Sequence, residues 1–305
     1  MKRTLLYAIM LAAFLSQAQN SIDLLTISGF YGAPAPYIDS LDGKATESGT
    51  LVNLKAPVVL GEKTTWYNDL TYMGFSVTTD LNPEPSDFLT AMRLHAVILQ
   101  TGVVRKIDEK NAFQLLFVPR FNSDFKGPRD MNTLQLGAIG LFEHRYSDKL
   151  LMRFGALYNN ELFGPLLTPL VYVDWKMGPR WNMVGLMPIS LKINYKVNER
   201  ITAGYGHFGF ITSYRLGQEE FKDDYIERSS IDETLFLRFR VFGNFHLEGR
   251  VGYSLGRVYQ QYDGDEKMDF RLSILGFGDE RVQNNVDFDN GPIANLRLVY
   301  NLPLD

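Results

Sequence analysis

The stretch Ile189-Ser190-Leu191-Lys192-Ile193-Asn194-Tyr195-Lys196-Val197 alternates without exception between an apolar and a polar side chain. A period of two marks a β-strand, whose successive side chains point to opposite faces, so one face here is wholly apolar and the other wholly polar. The pattern recurs outward along the chain. Leu235, Leu237, Phe239 and Val241 alternate with Thr234, Phe236, Arg238 and Arg240; beyond the Gly243-Asn244 turn, Phe245, Leu247, Val251, Tyr253 and Leu255 alternate with His246, Glu248, Arg250, Gly252 and Ser254. Those two segments read as a tight hairpin. Near the C-terminus Leu296, Leu298, Tyr300 and Leu302 alternate with Asn295, Arg297 and Asn301.

Ten less regular segments, each bounded by Gly, Pro, Asn or Asp, complete the set: Ile22–Tyr31, Thr50–Leu60, Thr65–Thr78, Thr90–Val104, Asn111–Phe121, Thr133–Tyr146, Leu150–Tyr158, Leu167–Trp175, Trp181–Met187 and Ile201–Tyr214. The connections take turns between short (Gly61–Thr64, Arg105–Lys110, Ser147–Lys149, Lys176–Arg180, Asn198–Arg200, Gly243-Asn244) and long (Gly32–Gly49, Thr79–Leu89, Asn122–Asn132, Asn159–Leu166, Arg215–Arg228, Val258–Gly291). Short periplasmic turns on one rim and longer extracellular loops on the other are how outer-membrane barrels are built. The order holds throughout if Pro188 marks a tight outer turn between two short strands. The expected fold is therefore all-β, a single closed antiparallel transmembrane barrel of about 14 strands, with 12 as the alternative. Met268–Gly276 also has strand character and is left inside the last long loop, whose acidic and apolar residues are expected to stay in solvent rather than fold into the lumen.

Of the 305 residues 45% are apolar and 22% charged, with net charge −4 and no cysteine. That excludes a disulfide framework, a thiolate metal site, a Cys nucleophile and a lipidated cysteine, and no basic surface advertises nucleic acid. Lys2 and Arg3 precede eleven uncharged, mostly apolar residues, Leu5 to Leu15, and the small-x-small site Ser16-Gln17-Ala18. This predicts a signal peptide over 1–18, cut before Gln19, Sec-dependent export, and one barrel domain over 19–305. The apolar run is too short to span a bilayer as a helix, which takes about 20 residues.

Alternation alone does not say which solvent lies outside. Twelve to fourteen strands enclose a space too wide for a dry side-chain core, so the interior is expected to be polar and wet. Arg93, Arg153, Lys192, Arg238, Arg240, Glu248, Arg250 and Arg297 lie mid-strand; an arginine or lysine facing lipid would cost about 2–4 kcal/mol, and almost nothing in a lumen. These are the candidate lumen charges, with Glu143 and Asp174 as partners. Tyr31, Trp66, Tyr67, Tyr146, Tyr158, Trp175, Trp181, Tyr195, Tyr214, Tyr253 and Tyr300 sit near predicted strand ends, as interface girdles require.

The run Trp175-Lys176-Met177-Gly178-Pro179-Arg180-Trp181, then Gly185-Leu186-Met187-Pro188, then Leu191 to Arg200, resembles the "W-then-LP-then-Y-x-lN" segment of a Gram-negative outer-membrane β-barrel family of unknown function. The resemblance implies the fold, the outer-membrane location and insertion by the barrel-assembly machinery, and transfers no catalytic residue. The chain's ending, Leu302-Pro303-Leu304-Asp305, lacks the terminal aromatic common in strands that this machinery recognises.

Chemical motifs are sparse. Gly204-Tyr205-Gly206-His207-Phe208-Gly209 fits G-x-G-x-x-G, but a dinucleotide site needs a helix after it, and this one lies inside a strand segment, where glycines make room for large neighbours. His95, His144, His207 and His246 lack metal-ligand spacing, so no metal and no cofactor is expected. No Ser, His and Asp set stands out for hydrolysis. The expected function is an outer-membrane barrel of unassigned role, a passive pore for small solutes and a monomer surrounded by outer-membrane lipid. A structural or adhesive barrel with a blocked lumen is the alternative, and a membrane-embedded hydrolase is less favoured.

Overall fold

The computed structural model describes residues 21–38, 41–127 and 133–303. The signal segment expected over 1–18 and its cleavage site lie outside the described residues. Fourteen described strands form the wall: β1 (Ser21–Gly32), β2 (Lys44–Lys55), β3 (Thr64–Thr79), β4 (Met92–Lys106), β5 (Asn111–Ser123), β6 (Leu134–Ser147), β7 (Leu150–Glu161), β8 (Gly164–Lys176), β9 (Trp181–Met187), β10 (Ser190–Lys196), β11 (Ile201–Arg215), β12 (Tyr225–Phe242), β13 (Phe245–Tyr262) and β14 (Gly291–Pro303). Consecutive strands pair antiparallel, and β1 pairs with both β2 and β14, so the sheet closes. Closure is what lipid demands, since an open edge would leave backbone N–H and C=O groups without partners.

All fourteen expected segments are strands, and Pro188 does mark a turn directed toward the long-loop side, though it lies partway up the wall and not at the rim. Several loops are shorter than the sequence suggests. β2 starts at Lys44 and breaks at Ala56-Pro57 before resuming at Val58–Gly61; Asn159–Leu166 shrinks to a turn at Leu162-Phe163; β12 starts at Tyr225 and β13 runs on to Tyr262. Met268–Gly276, left as loop, contains a small hairpin, Phe270–Leu272 with Leu275–Phe277.

Exposure settles which face meets which solvent. Leu235 is 67% exposed, Leu237 40%, Leu296 58% and Leu298 42%, whereas Glu248 is 0%. Greasy side chains look outward and charges look inward, the inverse of a soluble barrel. Exposed Trp66, Tyr146, Trp175 and Trp181 ring the short-turn side, and Tyr31, Tyr158 and Tyr253 lie toward the other rim. Tyr67 and Tyr214, expected in these girdles, point inward instead: Tyr67 bonds Asp69 and Tyr214 is fully buried.

The expectation of a wet lumen fails in the long-loop half. There Met73, Phe75, Leu94, Ala96, Ile98, Leu116, Val118, Ile139 and Leu170 form a buried apolar cluster with Tyr214. The cause is a hairpin too short for the wall. β9 and β10 have seven residues each. β8 therefore meets β9 only from Val171 onward, and β11 meets β10 only as far as Phe208. Above that level β11, still paired with β12 as far as Arg215, bends into the lumen, where Arg215 bridges to Ser123 of β5. Its bared backbone is satisfied by side chains: Asn122 Nδ2 and Gln135 Nε2 donate to the Ser213 carbonyl at 3.2 and 3.0 Å, and the Ser213 N–H donates to the Glu161 carboxylate at 2.9 Å.

The last long loop covers the other bared edge. Phe270–Leu272 pairs in parallel with Leu166-Leu167 of β8, and the Ser273 and Met268 N–H groups donate to the Leu167 and Phe163 carbonyls at 2.8 and 2.9 Å. Met268 packs among Phe163, Leu166, Tyr225 and Tyr262, and Arg271 and Arg281 both grip Glu227 on the outward-facing side of β12. The loop thus neither enters the lumen nor stands free in solvent. Within it, the Arg281 guanidinium, through its hydrogen bond and its charge, holds the Asp279 carboxyl below the usual range. A carboxyl depressed in the folded chain stabilises above its unfolded pKa of about 3.9 and loses that contribution as pH falls through the lower folded value. Amide protection of residues 268–282 in hydrogen exchange is expected to be flat from pH 5 to 8 and to fall ahead of the barrel strands below about pH 4.

Candidate functional site: a cationic cluster in the lumen

The Gly243-Asn244 turn, with Gly243 at φ +49°, sets the register of the β12–β13 hairpin so that Arg238 faces Glu248, which in turn faces Arg297 of β14. All three lie on the polar, inward side of their strands. Arg250 stands two residues along the same face, Lys192 comes from β10 and Asp23 from β1. Glu248 gathers four cations: Arg238 Nε at 2.7 Å, Arg250 Nε at 2.7 Å, Arg297 Nη1 at 3.0 Å and Lys192 Nζ at 3.4 Å. Asp23 takes Arg238 at 2.8 Å and the Asn301 amide at 2.8 Å, with Lys192 3.7 Å away.

Two glycines of the G-x-G-x-x-G run give these side chains their space. A Cβ on Gly204 would lie 2.7 Å from the Phe236 ring, and one on Gly206 would lie 3.0 Å from Arg250 Nη1. The run lies within β11 with no helix after it, so no phosphate cradle forms. Phe236 also lies under both Lys192 and Arg250, with cation-to-ring distances of 5.6 and 5.5 Å.

Seven of the expected lumen charges lie on the inward side, and six of them, Arg153, Lys192, Arg238, Glu248, Arg250 and Arg297, are at least partly buried there. Arg153 is on a different part of the wall, paired with Glu143 at 2.7 Å and stacked over Tyr172. Asp174, the other expected partner, is buried on the inner face of β8. Arg240 is on the inward side but exposed near the short-turn rim, outside the cluster. Arg93 is a correction. In β4 the inward residues are Met92, Leu94, Ala96 and Ile98, so Arg93 points outward, near the strand's long-loop end where the exterior is no longer lipid.

Two further buried networks, in the long-loop half, were not legible from sequence. Glu47 of β2 binds Arg228 of β12 at 2.8 Å, Arg257 of β13 at 3.5 Å and the Tyr259 hydroxyl. Glu161 of β7 binds Arg120 of β5 at 2.8 Å and the Ser213 hydroxyl of β11 at 2.8 Å. Phe75 of β3 and Tyr214 of β11, from opposite sides of the wall, stand 6.3 Å apart, and the Arg228 guanidinium lies 3.8 Å over the Phe75 ring.

The four histidines lie apart, each with its own polar partner: Tyr72 for His95, Asn111 for His144, Glu233 for His207 and the Asn244 carbonyl for His246. His207 is held at both nitrogens, by Glu233 at 2.7 Å and by the Pro188 carbonyl at 2.9 Å. The latter is a turn carbonyl that the short hairpin would otherwise leave without a donor.

Residues 16–272 match the model of a family described as a domain of unknown function, DUF6268. No curated protein matches the chain in sequence. Among solved structures the chain is similar to an outer membrane channel from Pseudomonas putida F1 (11% identity, 92% of this chain and 96% of that one, TM-score 0.43). It is also similar to a Pseudomonas aeruginosa FadL homologue (11% identity, 92% and 90%, TM-score 0.43). A third is the TodX monoaromatic hydrocarbon channel deltaS2 mutant (10% identity, 92% and 90%, TM-score 0.40).

Proposed function

Because the chain belongs to the DUF6268 family, whose description assigns no activity, we propose from its own geometry that it is an outer-membrane barrel for passage of small solutes, closed at rest on its long-loop side. The observation that carries this reading is the contrast between the two halves of the lumen. Glu47, Arg228 and Arg257 are at most 3% exposed and opposite walls touch, so that half is dry and shut. The side chains of Asp23, Lys192, Arg238 and Arg297 keep 15 to 24% exposure, which supports a water-filled vestibule reached from the short-turn side. With short turns facing the periplasm, solute enters the vestibule from there and passes when the inner end of β11 withdraws. The closed wall, which leaves no strand edge to pair with another chain, supports a monomer; export through the Sec route and insertion by the barrel-assembly machinery are part of the same proposal.

A permanently blocked structural barrel is the second reading, favoured by the same cross-lumen contacts. Planar-bilayer recording separates the two. Phe75→Ala with Tyr214→Ala removes the rings that meet across the lumen and is expected to give stable openings where the parent opens rarely. Silence of the double variant, with heat-modifiable folding intact, would establish the blocked barrel. Hydrolysis is disfavoured because both nitrogens of His207, the histidine that pairs with a carboxylate, are engaged and neither is left to act as a base.

A further inference from the structure

We propose that the vestibule contains a binding site for a small dianion, formed chiefly by Lys192 and Arg297 beside Glu248; this rests on the solute-passage reading and names its solute class. Charge balance is the first argument. Four cations meet two carboxylates, which leaves two positive charges in excess within one partly buried cluster, and their mutual repulsion is relieved when a counter-ion joins it.

Donor geometry is the second. The carboxylates are already saturated: Glu248 Oε1 accepts from Arg250 and Arg297, Oε2 from Arg238 and Lys192, and Asp23 from Arg238 and Asn301. The cations are not. Lys192 Nζ reaches its carboxylates only at 3.4 and 3.7 Å, so it is held loosely. Arg297 spends only Nη1, and its side chain is 18% exposed toward the vestibule. Arg250 Nη2 lies 2.7 Å from Glu248 without the alignment of a hydrogen bond and is buried with no acceptor. A two-charge oxyanion or short dicarboxylate supplies both the missing acceptors and the missing charge, and arginine's planar fork suits it. A neutral sugar accepts hydrogen bonds but leaves the excess charge in place, and an apolar molecule answers neither deficit.

The test is calorimetric titration of the full-length mature barrel in detergent micelles with sodium sulfate, ionic strength held constant with sodium chloride. Saturable sulfate binding is expected, weakened tenfold or more by Lys192→Gln or Arg297→Gln, lost in the double variant and unchanged in Arg153→Gln on the other part of the wall. Lys192→Gln carries a second readout, because removing one excess cation is expected to raise the unfolding temperature of the anion-free barrel. A lysine that served only to bridge Glu248 and Asp23 would lower it. No sulfate heat above the chloride control, or binding that survives the double variant, would overturn the site. Conductance is independent of this outcome. If the barrel binds sulfate and its Phe75→Ala, Tyr214→Ala variant stays silent, the site stands and the passage reading is lost; if that variant conducts and the barrel binds no sulfate, the opposite holds.

Discussion

Leu237→Arg is expected to leave most of the chain uninserted, while Arg240→Leu, three residues away, inserts as the parent does. Leu237 is at the middle of the outward face of β12, opposite Ala203 and Gly249, with Leu235, Phe239 and Leu247 exposed around it. A guanidinium there faces acyl chains and costs about 2–4 kcal/mol, a large part of the 5–15 kcal/mol that holds a typical folded domain. Arg240 is on the inward side and exposed near the short-turn rim, so a leucine there removes a solvated charge and breaks no ion pair with a carboxylate. The fraction of heat-modifiable protein in outer-membrane extracts measures the difference. Equal defects would reverse the assignment of inside and outside.

Glu248→Gln is expected to destabilise the inserted barrel more than any other single lumen substitution. Glu248 is fully buried and is the common partner of Lys192, Arg238, Arg250 and Arg297. Removing one partner of a buried ion pair costs about 3–5 kcal/mol, because the charges left behind stay desolvated. Here four cations are left with Asp23 alone. Glu143→Gln provides the comparison: Glu143 has one partner, Arg153, both side chains are partly exposed, and the expected loss is about 1 kcal/mol or less. Urea midpoints in micelles report both; similar shifts would mean that Glu248 is not the keystone of the cluster. Adding Lys192→Gln to Glu248→Gln is expected to recover part of the loss.

How much the sequence revealed depended on where a residue lies relative to the lipid. Within the membrane band the outside is apolar and the inside polar, so Leu237 beside Arg238 and Leu191 beside Lys192 announce their faces. Above the band the outward face is polar too, and the inward face mixes charged with apolar side chains. Glu47 sits between outward Thr46 and Ser48, and Arg228 between Glu227 and Ser229, so period-two hydrophobicity disappears and strand reads as loop. At Arg93 the period is intact but inverted, because Met92 and Leu94 face a dry interior while the arginine faces out. Asp23 was missed for a simpler reason: it stands beside the expected strand start, and only pairing across the seam with β14 brings it to Arg238. The collapse of β11 across the lumen is a tertiary event with one local trace, the brevity of the two segments flanking Pro188.

That brevity means that the barrel does not have one circumference. It is fourteen strands around near the short turns but twelve beyond Pro188, where β9 and β10 have ended. A sheet that loses two members partway along its axis must taper, and β11, with no neighbour on one side, is the natural piece to fall inward. Hairpin length therefore works as a dial: each residue added to or taken from its arms moves the level at which the taper begins, and with it the depth of the dry section, without touching a single residue that lines it.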